Sequence, residues 1–245
     1  MTTVRRDPTG AGARGRAGVR IVSLVPSVTE TLSAWDRTPV ACTRFCERPD
    51  LPHVGGTKNP DIAAISELRP DVVVLDAEEN RREDYEALAE RGLDVHVLHV
   101  RSLADLNPAM SGLAARVGVH WAAPALPAAC AVGARAFIPI WRRPWMALGT
   151  PTYASSLLAH LGVANVLDDA GPYPEVALDA VAKRRPDLVL APSEPYPFGE
   201  RQRRELETVA PVLFLDGRDL FWWGSRTLAA HDRLALALDT WRDHH

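Results

Sequence analysis

The chain has 245 residues, with 28 Lys and Arg against 31 Asp and Glu, a formal charge of -3 and 47% apolar residues. That balance suits a soluble globule of one large or two modest domains, and it lacks the basic excess of a nucleic-acid binder. Three cysteines are too few for a disulfide scaffold, and no apolar stretch approaches the ~20 residues needed to span a bilayer, so no membrane insertion is expected.

Residues 1–18 carry arginines and glycines but neither the apolar core of a secretory signal nor a lipobox-like cysteine. They read as a disordered leader on a cytoplasmic protein. Residues 20–25 (RIVSLV) form a first strand, and Pro26-Ser27 opens a turn into a helix to about residue 35, with Ser27 or Thr29 and Glu30 as its N-cap pattern. A short strand at 40–42 precedes the loop Val54-Gly-Gly-Thr-Lys-Asn-Pro60, whose Gly-Gly and Asn-Pro pairs do not belong inside regular elements. Apolar spacing predicts a helix over 61–68, and Val72-Val-Val-Leu75 reads as a strand buried on both faces of a parallel sheet. Further helices are expected over 83–91 and 103–117, with a strand at 94–100 between them. The Ala/Pro-rich stretch 121–132 admits a short connecting helix at about 127–135. Beyond it the pattern alternates again: strands at 136–141, 188–191 and 212–215, and helices at 152–161, 176–183, 201–208 and 224–242.

The repeat is visible in the letters, since Ile65-Ser-Glu-Leu-Arg-Pro-Asp-Val-Val-Val-Leu75 recurs as Val181-Ala-Lys-Arg-Arg-Pro-Asp-Leu-Val-Leu-Ala191. One helix-Arg-Pro-Asp-strand unit per half predicts an α/β fold of two Rossmann-like lobes with parallel sheets, residues 19–120 and 136–245. The connecting helix falls at 121–135, and the cleft between the lobes is the expected ligand site.

Taken together, RIVSLVPSVTETL, VGGTKNPDIAAISELRPDVVVLDAEENRRED, TYASSLLAHLGVANVL and LFWWGSRTLAAHDRL resemble the class III substrate-binding proteins. That is the helical-backbone metal-receptor superfamily, and the B12-binding branch is the nearest in pattern. The blocks FC, GGTK, EEN, PWM and WGSR suggest a signal-less branch. The resemblance implies two lobes closing on a small ligand, a corrinoid or another metal chelate. It also implies an ABC-transporter partner, which a chain read as lacking an export signal puts in doubt. Where the B12 branch carries tryptophan in first-lobe loops, this chain has Lys58 and Glu78/Glu79.

Residue chemistry nominates the site. Lys58 follows two glycines in a loop suited to an anion or to pairing with Glu78 or Glu79. Glu78, Glu79 and Asn80 stand just beyond a strand's carboxyl end, where open α/β sheets bind ligands, or else cap the next helix. Cys42 reads as a small apolar filler, whereas Cys46 lies beside Arg44 and Arg48, which would lower its thiol pKa. Trp145, Trp222 and Trp223 suit a flat ligand, Arg226 its anionic groups, and Tyr153 opens a helix nearby. His96 and His99, on opposite faces of a strand, read as structural. The reading is thus a binding protein for a small anionic or metal-chelate ligand, cobalamin-like at the level of the resemblance. The rival is an enzyme using Cys46 or Glu79 as nucleophile or general base.

Overall fold

The computed structural model describes residues 18–131 and 133–244; the leader expected over 1–18 therefore lies almost wholly outside the described residues. The first lobe carries strands β1 (Ile21–Ser23), β2 (Ala41–Cys42), β3 (Gly55–Gly56), β4 (Asn59–Pro60), β5 (Val72–Asp76) and β6 (Val95–Leu98). Its helices are α1 (Pro26–Ala34), α2 (Ile62–Glu67), α3 (Arg82–Glu90) and α4 (Leu103–Val117). The second lobe carries β7 (Ala134–Phe137), β8 (Pro139–Trp141), β9 (Met146–Ala147), β10 (Val163–Asn165), β11 (Leu188–Pro192) and β12 (Val212–Leu215). Its helices are α5 (Tyr153–His160), α6 (Leu178–Lys183), α7 (Glu200–Leu206), α8 (Gly217–Phe221) and α9 (Thr227–Arg242).

Each lobe is built on a four-stranded parallel sheet of the same order, β2-β1-β5-β6 in the first and β10-β7-β11-β12 in the second. The wholly apolar runs of β5 and β11 are explained by position, since each is an inner strand covered on both faces. The sequence repeat extends to individual atoms. Asp71 Oδ2 accepts the Arg20 amide at 2.7 Å, and Asp187 Oδ2 accepts the Arg135 amide at 2.7 Å. Both arginines also donate to the carbonyl of the repeat arginine, Arg69 or Arg185. The Arg-Pro-Asp signature is therefore a fastener that ties the start of the inner strand to its neighbour.

Four expectations are corrected. No helix forms over 121–131. Instead α4 stops at Gly118, whose left-handed φ of 70° ends it, and an extended segment bearing Pro124 and Pro127 carries the chain to β7. Proline lacks the N–H that a helix interior needs, and the segment is held by strand-like bonds such as the Cys130 amide to the His160 carbonyl, 2.9 Å. Helix α1 begins with Pro26 at its first position and has no side-chain cap, so neither Ser27 nor Thr29 serves as one. Helix α3 likewise starts at Arg81 without a side-chain cap, leaving Glu79 and Asn80 for other work. The C-terminal helix expected over 224–242 begins three residues later, at Thr227, and a short helix not expected from the sequence, α8, precedes it.

The lobes do not merely touch. One apolar cluster runs through both, with Val25, Val28 and Leu32 of the first lobe packed together with Leu148, Leu157, Leu220 and Trp223 of the second. Polar contacts close the same seam. Arg226 makes a two-pronged pair to Glu30, with Nε and Nη2 donating at 2.8 and 3.0 Å, and its Nη1 donates to Asp219 at 2.9 Å. The Ser225 amide donates to Thr31 Oγ1 at 3.1 Å. The neighbouring Gly224 sits at φ +111°, and a Cβ there would overlap Thr31 Oγ1.

Gly224→Ala is accordingly expected to destabilise the protein by about 2–4 kcal/mol, from backbone strain plus the forced contact. Adding Thr31→Ala should recover part of that loss, because it removes the clash and leaves the strain. Urea unfolding of the three variants measures both effects; an unchanged midpoint for Gly224→Ala would show that the seam is loose.

Candidate functional site

A cleft of ≈ 680 Å³ lies between the lobes at the carboxyl ends of their sheets. From the first lobe come Arg44, Phe45 and Glu47 after β2, Thr57 and Lys58 at the tip of the β3–β4 hairpin, and Asp76, Glu78 and Glu79 at the end of β5. The second lobe supplies Tyr153 at the start of α5, Tyr173 from a long loop, Glu194 after β11, and Phe221, Trp222 and Trp223 after α8.

The nominated residues divide. Lys58, Glu78, Glu79, Tyr153, Trp222 and Trp223 line the cleft; Cys46, Asn80, Trp145 and Arg226 do not. Asn80 is structural, accepting the Asp76 amide at 2.9 Å and donating to the Leu24 and Thr57 carbonyls at 3.3 and 2.8 Å. It stitches the hairpin to the end of the sheet. Trp145 stacks on Phe198, with ring centroids 5.9 Å apart and planes within 6°, on the second lobe's own core. Arg226 is spent on the seam, although its guanidinium lies 5.4 Å from the Trp222 ring centroid. Cys46 is buried beneath the Arg44–Phe45 turn, with Sγ 3.2 Å from both Thr29 Oγ1 and Thr43 Oγ1. Hydrogen bonding from Cys42, Thr29 and Thr43 pulls its thiol down to about 6, so the cause is not the flanking arginines. Arg48 pairs with Asp50, and Arg44 lies over the Phe45 ring. Burial and the shared bond with Cys46 push the Cys42 thiol upward.

Within the cleft the polar groups have distinct tasks. Lys58 Nζ donates to the Glu78 carbonyl at 2.8 Å, which holds the hairpin tip against the acidic turn. Glu78 faces the other lobe, accepting from the Tyr173 hydroxyl at 2.8 Å and pairing with Arg101 at 3.3 Å. Asp76 is buried, and one of its oxygens, Oδ1, accepts the Glu78 and Glu79 amides at 2.9 and 3.2 Å. Its other oxygen, Oδ2, has no partner in good hydrogen-bond geometry, although the Val100 amide is near enough to favour the charged carboxylate. Burial pushes the Asp76 carboxyl up to about 6. Glu79 is also pushed up, by crowding of the cleft wall and then by Asp76, with Lys58 opposing; cleft water reaches its exposed side chain and moderates the rise. Glu194 accepts a hydrogen bond from Trp222, and burial raises it as well. Tyr153 is a floor residue: its hydroxyl is 3.1 Å from Thr227 Oγ1, and burial raises it to about 12.

Arg44, Phe45, Glu47 and Glu194 carry a signal that sequence reading passes over, since each follows the end of a strand. Tyr173 carries none, because its loop has no regular element on which to place it.

No family model matches the chain, and no curated protein does. Solved structures do. The periplasmic vitamin B12-binding protein of Vibrio cholerae superposes with a TM-score of 0.74 at 20% identity, over 91% of this chain and 97% of that one. The chain has the class III substrate-binding fold. A periplasmic heme-binding protein from Pseudomonas aeruginosa gives 0.73 at 20% identity, covering 90% and 92%. An ABC transporter substrate-binding protein from Listeria monocytogenes gives 0.71 at 15%, covering 90% and 98%. Among the described residues no helix is long and apolar enough to cross a membrane, and no group of three or more His, Cys, Asp or Glu is placed to hold a metal ion.

The raised acids set a pH dependence. A carboxyl whose folded pKa lies above its unfolded value binds protons more readily when folded, so it destabilises above that pKa and ceases to do so as pH falls through it. The penalty from Asp76 and Glu79 should therefore be constant above about pH 7 and be relieved progressively as pH falls from there to about 4. Below about pH 4 the opposite class takes over, because Asp50, Asp169, Asp216 and Glu200 are held low by arginines and lose those pairs when protonated. Asp76→Asn should raise the melting temperature at pH 8 by roughly 5 °C and flatten the rise on acidification. Equal melting curves for Asp76→Asn and the parent at pH 8 would mean that Asp76 carries no desolvation penalty.

Proposed function

We propose that this chain is a binding protein that holds a small, flat ligand unchanged in the inter-lobe cleft, with a metal chelate of the corrinoid or haem type as the first class to test. The observation that supports this most is the cleft itself, where two sheets present their carboxyl ends around one space and Phe45, Phe221, Trp222 and Trp223 supply apolar wall. Proteins of similar fold are named as binders of vitamin B12 and of heme. Trp222 is held by its bond to Glu194 and by Arg226 packed near its ring, so it offers a fixed surface for stacking.

The charge of the cleft revises the expected ligand. Glu47, Asp76, Glu78, Glu79 and Glu194 face Arg44 and Lys58, and Lys58 already serves a carbonyl. A ligand rich in carboxylates meets repulsion there, whereas one bearing N–H donors finds acceptors. The amide-fringed corrinoid fits this better than haem with its two carboxylates. The enzyme reading loses its thiol candidate, because Cys46 is buried outside the cleft. Cargo delivery to a transporter remains a proposal that rests on the fold alone.

Cobalamin and dicyanocobinamide are expected to raise the melting temperature and to bind with one-to-one stoichiometry in calorimetry, with haem weaker. Trp222→Ala should cut the affinity roughly 2- to 13-fold, the scale of one lost aromatic contact of about 0.5–1.5 kcal/mol. Absence of any stabilisation by all three compounds would remove this ligand class.

A further inference from the structure

The cleft holds an acceptor that nothing in the protein uses. Asp76 is 2% exposed and belongs to the cleft wall; its Oδ1 is saturated by two backbone amides, and its Oδ2 is buried with no hydrogen-bond partner in the protein. A buried carboxylate oxygen left unpaired costs free energy, and native proteins keep such groups rarely, so each calls for an explanation. Its surroundings are aromatic and mostly acidic, with Arg44 of the same cleft laid over the Phe45 ring. Glu79 and Glu194 line the same space, Phe45, Tyr173 and Trp222 stand around it, and the nearby cation Lys58 is turned to the Glu78 carbonyl. Carboxylates beside aromatic faces are the chemistry that recognises an organic cation, by charge-assisted hydrogen bonds at one end and ring quadrupoles along the side. A bare metal ion suits the place less well, because the carboxylates do not converge as a ligand set.

We propose that the cleft selects ligands bearing a protonated nitrogen, with Asp76 Oδ2 as the acceptor for that group and Glu79 and Glu194 completing its negative surroundings. This rests on the cleft being the ligand site and adds the sign of the ligand's charge. It also accounts for a seeming excess: the acids crowd one another and are pushed upward while the cleft is empty, and a cation among them relieves that repulsion.

The test uses three flat probes that differ chiefly in charge at pH 7.5: 9-aminoacridine as the cation, acridine as the neutral ring, and acridine-9-carboxylate as the anion. Binding to the full chain is followed by fluorescence and calorimetry. The cation should bind at least about tenfold more tightly than the neutral ring, and the anion most weakly. Asp76→Asn, nearly isosteric and expected to fold, should bring the cation to the neutral ring's affinity and leave acridine itself unchanged. Trp222→Ala should weaken both. Equal affinity across the charge series, or a preference for the cation that survives Asp76→Asn, overturns the proposal. If none of the probes binds while cobalamin does, the cation proposal falls and the cleft stands as the ligand site. If neither probes nor cobalamin bind, both fall.

Discussion

Everything in this molecule depends on the angle at which two nearly equivalent lobes are held, and that angle is set where α1 meets the turn before α9. The Arg226 guanidinium grips Glu30 with two parallel hydrogen bonds and Asp219 with a third, in a setting only partly open to water. A planar fork on a carboxylate fixes direction as well as distance, which a lysine in its place would not do. Beneath it lies the apolar cluster common to both lobes, and beside it Gly224 allows the backbone to approach Thr31. With the sheets so locked, the loops at their carboxyl ends have one space to face.

The fold was legible because its signals are repeated and local. The Arg-Pro-Asp units were readable as a duplication, and the reason lies in the hydrogen bonds that Asp71 and Asp187 make at equivalent places. The apolar runs Val72–Leu75 and Leu188–Ala191 were readable because an inner strand covered on both faces must be apolar along its length. What escaped was the linkage between the lobes. Alanine-rich composition argued for a helix in a segment where two prolines and the glycine stop after α4 prevail, and only its tertiary partner at His160 shows how its backbone is satisfied. Helix α8 and strand β10 are too short for a period to declare itself.

The site was legible by position more than by chemistry. Glu78 and Glu79 were found by counting from the end of a strand, and the same count reaches Asp76, Arg44 and Glu194. Trp145 and Arg226 show the limit of reasoning from residue type. An arginine beside two tryptophans invites a ligand, yet its partner is Glu30, 196 residues away in sequence and invisible until the chain folds. Asn80 looked like a helix cap because it precedes a helix; its side chain instead satisfies Leu24, Thr57 and Asp76, contacts that no local pattern encodes.

The two sides of the lobe interface differ in strength, and that difference decides which part yields to a ligand. At the base, a two-carboxylate, two-arginine network (Glu30 and Asp219 with Arg226 and Arg233) sits over an apolar core. At the rim the lobes meet through Tyr173 on Glu78 and Arg218 on Glu47, both with exposed partners. Exposed pairs of this kind contribute about 0–1 kcal/mol each, so water or a ligand displaces them at little cost. Breaking the base would strip a guanidinium from its carboxylates and expose aliphatic and aromatic surface worth several kcal/mol. The rim contacts are therefore the weaker of the two, and the base holds the angle between the lobes. The energetic asymmetry follows from burial alone: the same kinds of charged pair are strong where water is excluded and weak where it is not.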